Sequence, residues 1–321
     1  MYRYSVYGLN IASDIELPEL YSLEFESADV RIRLGTVPRS LLSPDIRTDW
    51  IDLGQNSCLV RVPRVGRFLI EDGESITIEV AHLSDGPDPL IDLRSYVLGS
   101  ALGALLHQRG SLPLHIAAVM TAHGVVGFTG PSGAGKSTLG GWFMKRFERP
   151  LFSDDVAALN FPEDSLRLFA GPRRIKLGRD AIDHLGFDTR SASRLASKNS
   201  KYQVLVEQPV LPEPNPLIAL VELARHNVPE HPALERLQGK DAFDVIMGAV
   251  YRPIMGDWFQ KHDRMVRLIA SLCDSIEVYR FTRSWSLDRL SADLEFLADR
   301  IEAIPANSAF PLKRNAVTVD G

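Results

Sequence analysis

The stretch Gly130-Pro-Ser-Gly-Ala-Gly-Lys-Ser-Thr138 determines how the rest of the sequence is interpreted. An apolar run, residues 124–129, precedes it, and residues 139–145 follow with apolar positions at helical spacing. A strand, a glycine-rich loop and a helix in this order have the spacing G-x-x-x-x-G-K-[ST] of a phosphate-binding P-loop. The glycines let backbone N–H groups turn toward an anion, and the start of the helix adds its positive dipole end. The sequence therefore predicts a site for a nucleoside triphosphate or a related polyphosphate.

The residues of this loop have different expected parts in binding. Lys136 is expected to reach the β- and γ-phosphates, and the Ser137 hydroxyl is expected to coordinate Mg²⁺. The alternative is a glycine-rich turn that binds nothing, and the flanking strand and helix argue against it. The predicted nucleotide contacts of the loop are Gly130, Ser132, Gly133, Ala134, Gly135, Lys136, Ser137 and Thr138.

The composition is that of a soluble globular protein with enough residues for two domains. The chain has 321 residues, of which 45% are hydrophobic and 24% charged. A net charge of −5 argues against a general affinity for nucleic acid. Cys58 and Cys273 are far apart and lack the spacing of a metal site. Without a signal-peptide core or an apolar stretch of about 20 residues, the sequence predicts a cytoplasmic protein with no membrane contact.

The chain divides into two parts at a proline-containing turn, residues 86–89. Residues 1–88 alternate between apolar and polar positions and predict a small antiparallel β domain for recognition or packing. Residues 89–321 predict an α/β domain with a mixed sheet around the P-loop. This part begins with a predicted helix, residues 90–108, and a buried strand, residues 113–120.

Two adjacent carboxylates follow the P-loop helix. Asp154 and Asp155 interrupt a predicted strand, residues 151–159. In a P-loop fold, the helix crosses over to a neighbouring parallel strand whose C-terminal end faces the phosphates. A carboxylate at this end can hold Mg²⁺ or accept a proton from the attacking group. The alternative is a solvated acidic turn.

Other side chains have the right chemistry but weaker patterns. His115 lies in the predicted strand 113–120, where it is either a buried core residue or a functional one. A basic cluster follows a Gly-Pro turn, and its cations either face a transferred phosphoryl group or form a solvated surface. A serine-rich segment, residues 189–201, either closes over a substrate or is plain disorder. The basic residues are Arg173, Arg174 and Lys176 in the cluster, and Lys198 and Lys201 in the segment.

Together these residues resemble the HPr kinase/phosphorylase family and its shorter relatives. The similar stretch begins at Leu114-His115, passes through the P-loop and ends at Ser153-Asp154-Asp155. The resemblance implies an α/β P-loop kinase domain of the HPr kinase type, here preceded by the β-rich domain. It also implies an ATP- and Mg²⁺-dependent enzyme that phosphorylates a serine hydroxyl.

The resemblance assigns roles to the candidate residues. Asp154 is the expected acid/base, Asp155 and Ser137 are expected to place Mg²⁺, and His115 is expected to line the site. The roles of the two aspartates can also be reversed. Lys136 is expected to assist catalysis, and Arg173 and Lys201 are expected to contact the nucleotide. HPr kinases form oligomers, but this sequence gives no clear interface, so a homo-oligomer stays open.

The chain also departs from HPr kinases, since it lacks their later Glu-x-Arg-Gly signature. Residues 7–13, 17–20, 110–115, 172–177 and 237–243 instead resemble HPr-kinase-related proteins of bacterial peptide-modification clusters. Some of these proteins phosphorylate the C-terminal serine of a lasso precursor peptide. The acceptor is therefore expected to be a peptide or small protein.

Two alternatives stay open at the level of sequence. A kinase of a small hydroxyl compound such as free serine would use the same P-loop machinery. A nucleotide-binding regulatory protein would do no transfer, but it would not need His115 and both aspartates. The sequence does not distinguish ATP from pyrophosphate as the donor, nor does it say whether phosphate reverses the reaction.

Overall fold

The structure is a computed structural model. It describes residues 1–81, 83, 88–161, 166–188, 190, 192–195, 201–206, 213–224, 231–284 and 287–305. Most of the serine-rich segment, including Lys198, lies outside the described residues, as does part of the turn at residues 86–89. Residues 306–321 also lie outside them.

The N-terminal part forms one nine-stranded sheet in the order β3-β1-β2-β4-β9-β8-β7-β6-β5. A hairpin joins β8 to β9, with Asp72 and Gly73 both at positive φ. The expectation of a purely antiparallel sheet is wrong, because β4 pairs in parallel with both β2 and β9. The strands are β1 Tyr2–Val6, β2 Leu9–Ser13, β3 Tyr21–Ser22, β4 Val30–Leu34, β5 Ile46–Arg47, β6 Ile51–Leu53, β7 Ser57–Val62, β8 Gly66–Glu71 and β9 Ser75–Val80.

The predicted helix over residues 90–108 is helical throughout but not uniformly α-helical. It consists of α1 Ile91–Tyr96, a π-helical turn Val97–Ala101, and α2 Leu102–Gln108. Its apolar side chains are buried in one core with those of the N-terminal sheet, which include Phe68, Ile70, Ile76 and Ile78. The helical segment therefore covers a face of the sheet although it follows the turn at residues 86–89.

The P-loop lies at one edge of a six-stranded mixed sheet with the order β13-β11-β12-β19-β21-β20. The chain between β10 and α3 supplies β11 and β12, and α3 starts directly after the P-loop. The elements of this region are β10 Leu112–Leu114, β11 Ala117–Met120, β12 Val125–Thr129, α3 Lys136–Arg146 and β13 Leu151–Asp154.

The predicted strand 151–159 is divided, because β13 ends at Asp154 and residues 157–160 form a strand of another sheet. The sequence also predicts that β13 is the neighbour of β12, and this is wrong. β11 lies between them and runs antiparallel to both. Two antiparallel pairings restore the direction, so β12 and β13 still point the same way. The P-loop and Asp154 therefore reach the same edge of the sheet.

The remaining elements complete a mixed α/β fold. Two small sheets, with the orders β10-β14-β15 and β16-β18-β17, flank the P-loop sheet. Residues 233–302 supply further helices and the last two strands of the P-loop sheet. These elements are β14 Ala157–Asn160, β15 Arg167–Phe169, β16 Arg174–Gly178, α4 Arg179–Leu185, β17 Ala192–Arg194, β18 Lys201–Leu205, β19 Leu217–Leu223, β20 Ala233–Leu237, α5 Gly239–Ala249, α6 Pro253–Phe259, α7 His262–Ser275, β21 Glu277–Thr282 and α8 Leu287–Glu302. Within the described ranges, every helix is too short or too polar to cross a membrane.

The shared core of the N-terminal sheet and the α1–α2 segment predicts a stability effect. Leu102 is fully buried in it, whereas Leu42 is fully exposed. We expect Leu102→Ala to lower the free energy of unfolding by about 2–5 kcal/mol, because the smaller side chain leaves a cavity. The matched control Leu42→Ala is expected to change it by no more than about 0.5 kcal/mol. Urea unfolding measures both, and equal effects would contradict this description of the core.

Candidate functional site

The P-loop joins β12 to α3 in a conformation that only glycine adopts without strain at several positions. Gly130, Gly133 and Gly135 all have positive φ values. A Cβ at Gly130 would lie 2.8 Å from the Leu223 carbonyl oxygen, so a side chain there would displace the loop from β19. This geometry fits the expected role, in which backbone N–H groups surround an anion.

Lys136, the first residue of α3, folds back over the loop. Its Nζ donates hydrogen bonds to the carbonyl oxygens of Gly130, at 2.7 Å, and Pro131, at 3.3 Å. Burial lowers the pKa of the Lys136 ammonium, and the positive charge of Lys201 acts in the same direction against the opposing aspartates. A partly desolvated cation above a ring of N–H donors is a suitable partner for a polyphosphate.

Asp154 is the last residue of β13 and is almost completely buried. Its Oδ2 accepts the backbone N–H of Lys176 at 2.8 Å, and its carboxylate is hydrogen-bonded to the Ser137 side chain. Burial raises the pKa of Asp154 above its usual value, and the Lys176 N–H opposes this shift. The carboxylate and the P-loop hydroxyl thus form one unit at the start of α3.

Asp155 has a different environment, because the backbone turns immediately after β13. Its φ of +90° is unusual for a residue with a side chain, and its N–H donates to the Ile116 carbonyl oxygen at 3.1 Å. Its Oδ2 lies 2.6 Å from Lys176 Nζ and 3.9 Å from Arg174 Nη2. The Asp155 carboxylate is therefore surrounded by cations while remaining partly open to the cleft.

His115 is not inside a strand, contrary to the prediction. The apolar run is split into β10 and β11, which belong to different sheets, and His115 lies between them. Its backbone N–H donates to the Ala249 carbonyl oxygen, and its ring packs edge-on against Tyr251. This places His115 Nε2 at 3.7 Å from Asp155 Oδ1, so the histidine faces the site rather than the core.

The loop, the carboxylates and His115 line one cleft of about 880 Å³. Of the eight predicted nucleotide contacts in the P-loop, all but Gly130 and Ala134 line the cleft, and so does Lys201. The lining residues are His115, Ile116, Ser132, Gly133, Gly135, Lys136, Ser137, Thr138, Asp154, Asp155, Lys176, Leu177, Gly178, Lys201, Val250, Tyr251, Arg252 and Pro253.

Arg173 does not have its expected position at the nucleotide. Its Nη2 donates to the carbonyl oxygens of Pro18 and Leu20, both at 3.1 Å, and its guanidinium stacks over Tyr21. These contacts attach it to the N-terminal part of the chain, and it is not among the cleft-lining residues in the described ranges. The physical reason is that β16 begins at Arg174, so the residue before it is directed elsewhere.

Tyr251 and Arg252 line the cleft but were not predicted from the sequence. Their position depends on tertiary pairing, since the Tyr251 N–H donates to the Pro113 carbonyl oxygen and Val250 pairs with Leu114. Arg252 has a φ of +53°, and its guanidinium packs over the rings of Trp50 and Tyr251. Neither residue belongs to a local motif, so the pattern around them carries no signal.

Known proteins give little additional information about this chain. No family model and no curated protein matches it. Among solved structures, it is similar to the Hpr(Ser) kinase/phosphatase from Coxiella burnetii, at 14% sequence identity and a TM-score of 0.27, over 59% of this chain and 91% of that one. A similarity this low carries no argument about function. The functional argument therefore rests on the residues of the cleft.

The position of Lys136 predicts its contribution to anion binding. We expect Lys136→Ala to weaken binding of Mg²⁺·ATP by about 10-fold or more, because a charge-assisted contact to phosphate is lost. Lys145→Ala is the matched control, since Lys145 lies on the same helix but packs over Phe187 outside the cleft. Isothermal titration calorimetry measures both affinities. If the two variants bound equally well, Lys136 would have no role in binding the phosphates.

Proposed function

We propose that this protein is an ATP- and Mg²⁺-dependent serine kinase whose acceptor is a peptide or a small protein. The observation that supports this function best is the convergence of three features in one cleft. They are the P-loop with Lys136, the Ser137–Asp154 pair, and the cation-flanked carboxylate of Asp155 beside His115. A regulatory protein that only binds a nucleotide has no evident use for the third feature.

The P-loop half of the cleft fits the phosphates and the metal. Ser137 and Asp154 are the residues that would hold Mg²⁺, the hydroxyl directly and the carboxylate by orienting the hydroxyl. The described residues contain no cluster of three or more metal-ligating side chains. That is compatible with Mg²⁺, which usually keeps several waters and takes its other ligands from the nucleotide phosphates. The metal supplies neutralisation of the charge that develops on the phosphates during transfer.

The two aspartates then divide the work in the reversed order that the sequence left open. Asp154 is closed off by the Lys176 N–H and Ser137, which favours the metal role. Asp155 faces the cleft next to His115, which favours contact with the acceptor. The ion pairs of Asp155 fix the position of its carboxylate. Phosphoryl transfer with a loose transition state needs positioning more than strong proton abstraction.

The proposed reaction is a single displacement. The oxygen of the acceptor serine attacks the γ-phosphorus, and the bond from that phosphorus to the oxygen bridging the β-phosphate breaks. ADP leaves with the electron pair of the broken bond, and the serine proton passes to Asp155. Lys136 and Lys176 both line the cleft and would offset negative charge during transfer.

One group of cleft-lining residues supports a peptide acceptor over a free amino acid. Tyr251, Arg252 and Pro253 line the cleft, and the Arg252 guanidinium packs over Trp50 of the N-terminal part. An acceptor that extends from the cleft would meet this surface, whereas free serine would not reach it. A precursor peptide with a C-terminal serine, as in lasso peptide biosynthesis, is the specific acceptor that we propose.

The two aspartates provide the test of this function. We expect Asp155→Asn to lower kcat at least about 100-fold at saturating Mg²⁺, because it removes the carboxylate that contacts the acceptor. Asp154→Asn is expected to raise the Mg²⁺ concentration needed for half-maximal rate. The rates are measured by mass spectrometry of a serine-terminated precursor peptide incubated with ATP, and ATP affinity is measured in parallel.

The outcomes separate the alternatives. Transfer to free serine but not to the peptide would identify a small-molecule kinase. Tight ATP binding without transfer to either acceptor would leave the regulatory function and contradict ours. If Asp154→Asn lost turnover while Asp155→Asn shifted the Mg²⁺ requirement, the roles of the two aspartates would be those first expected.

A further inference from the structure

A buried polar chain connects the N-terminal part of the protein to the cleft. It starts at Glu19, which is fully buried. Glu19 accepts the Nε–H of Arg94 at 2.9 and 3.2 Å and the Nε2–H of Gln203 at 2.7 Å. Arg94 in turn is paired with Asp88, so its charge is compensated from both sides. Glu19 thus has a fixed position and offers an oxygen to Gln203.

Gln203 is also hydrogen-bonded to Arg174. Its Oε1 accepts from Arg174 Nη1 at 3.1 Å. A carboxylate only accepts hydrogen bonds and a guanidinium only donates them. The amide of Gln203 can therefore be oriented in one way only, with nitrogen toward Glu19 and oxygen toward Arg174.

Arg174 depends on this contact for its position. Its residue is 1% exposed, and its Nε has no hydrogen-bond partner among the described residues. Its guanidinium also approaches Asp155, with Nη2 at 3.9 Å from Oδ2. A buried cation with few partners needs each of them, because an uncompensated charge in the interior is costly.

Asp155 needs such support because its backbone is strained. A non-glycine residue at a φ of +90° stays there only when its surroundings hold it. In β16, Arg174 and Lys176 are two positions apart and therefore share a face, and Gln203 is paired directly with Lys176 across to β18. One face of this small sheet thus presents both cations to Asp155, with Gln203 behind them.

We propose that Glu19 and Gln203 are positioning residues for the transfer reaction. They hold Arg174 against Asp155, so that the N-terminal sheet domain sets the orientation of the carboxylate that receives the acceptor. This inference rests on the proposed kinase function. It also gives the N-terminal part a role that its sequence does not indicate, since Glu19 is not among the described residues that line the cleft.

The test interrupts this series of hydrogen bonds at Gln203, its central residue. Gln203→Met removes both hydrogen bonds with little change in side-chain size and leaves the Glu19–Arg94 pair intact. We expect kcat for peptide phosphorylation to fall about 10- to 100-fold, the scale of a misplaced catalytic group. The Kd for Mg²⁺·ATP is expected to stay within about 2-fold, because the P-loop is not touched.

A double-mutant cycle separates positioning from general destabilisation. If Glu19 acts through Gln203, the Glu19→Gln/Gln203→Met double variant is expected to be no slower than Gln203→Met alone. Tyr4→Phe is the matched control. The Tyr4 hydroxyl accepts the Leu17 N–H and so holds the segment that carries Glu19, but it makes no hydrogen bond to Glu19, Gln203 or Arg174. It is expected to lower the melting temperature while leaving kcat within about 2-fold, and to combine additively with Gln203→Met.

Each outcome decides between the two proposals. If the wild type transfers phosphate no faster than Lys136→Ala, the kinase function fails and the positioning role falls with it. If the wild type is active and Gln203→Met keeps its kcat, the positioning role alone is wrong. The positioning role is also wrong if Tyr4→Phe lowers kcat as much as Gln203→Met does and the effects of Glu19→Gln and Gln203→Met multiply in the double variant.

Discussion

Both carboxylates at the end of β13 are held by one residue, Lys176. Its backbone N–H binds Asp154 Oδ2 and its Nζ binds Asp155 Oδ2. Adjacent residues of a regular strand point to opposite faces, so one neighbour cannot normally hold both side chains. The chain resolves this by ending the strand at Asp154 and turning Asp155 to positive φ. A strained residue of this kind costs of the order of 1–3 kcal/mol, which its ion pair with Lys176 and its N–H bond to Ile116 oppose.

The remaining architecture can be understood as support for this turn. β11 lies between β12 and β13, so the P-loop and the turn at Asp155 reach the same edge of the sheet. Ile116, which binds the Asp155 N–H, is the residue directly before β11. The π-helical turn of residues 97–101 approaches from the other side, where a Cβ on Gly99 would lie 3.8 Å from Asp155 Oδ2 and 3.4 Å from the Tyr251 hydroxyl. Helical segments of this kind often occur at functional sites. The site thus lies between the P-loop sheet and the helical segment that covers the N-terminal sheet.

The parts of the site that local sequence determines were predictable. The P-loop is a contiguous motif, and its neighbours and the paired aspartates follow from strand and helix spacing. What the sequence did not provide is which side chains face the cleft. Alternation along β16 places Arg174 and Lys176 on one face, but the sequence does not say what that face meets, nor that Arg173 contacts the N-terminal segment. Tyr251, Arg252 and Glu19 reach their places through long-range pairing, for which a single sequence contains no periodic signal.

The same limit explains the errors in topology. The run around His115 is apolar enough for one strand, and its division between two sheets depends on where β14 and β13 pair. Parallel pairing of β4 with β2 and β9 likewise depends on the long connections between those strands, not on their alternation. Hydrophobic patterning predicts that a strand exists, whereas its neighbours are chosen by packing across the whole domain.

The central claim is phosphoryl transfer from ATP to a serine hydroxyl, and ³¹P NMR follows it directly. The measurement uses the full chain with Mg²⁺·ATP and a serine-terminated peptide, and it records all phosphorus species over time. Our account predicts that a phosphoserine resonance grows at the same rate as the resonances of ADP. Unchanged ATP, or ADP accompanied only by inorganic phosphate, would contradict it.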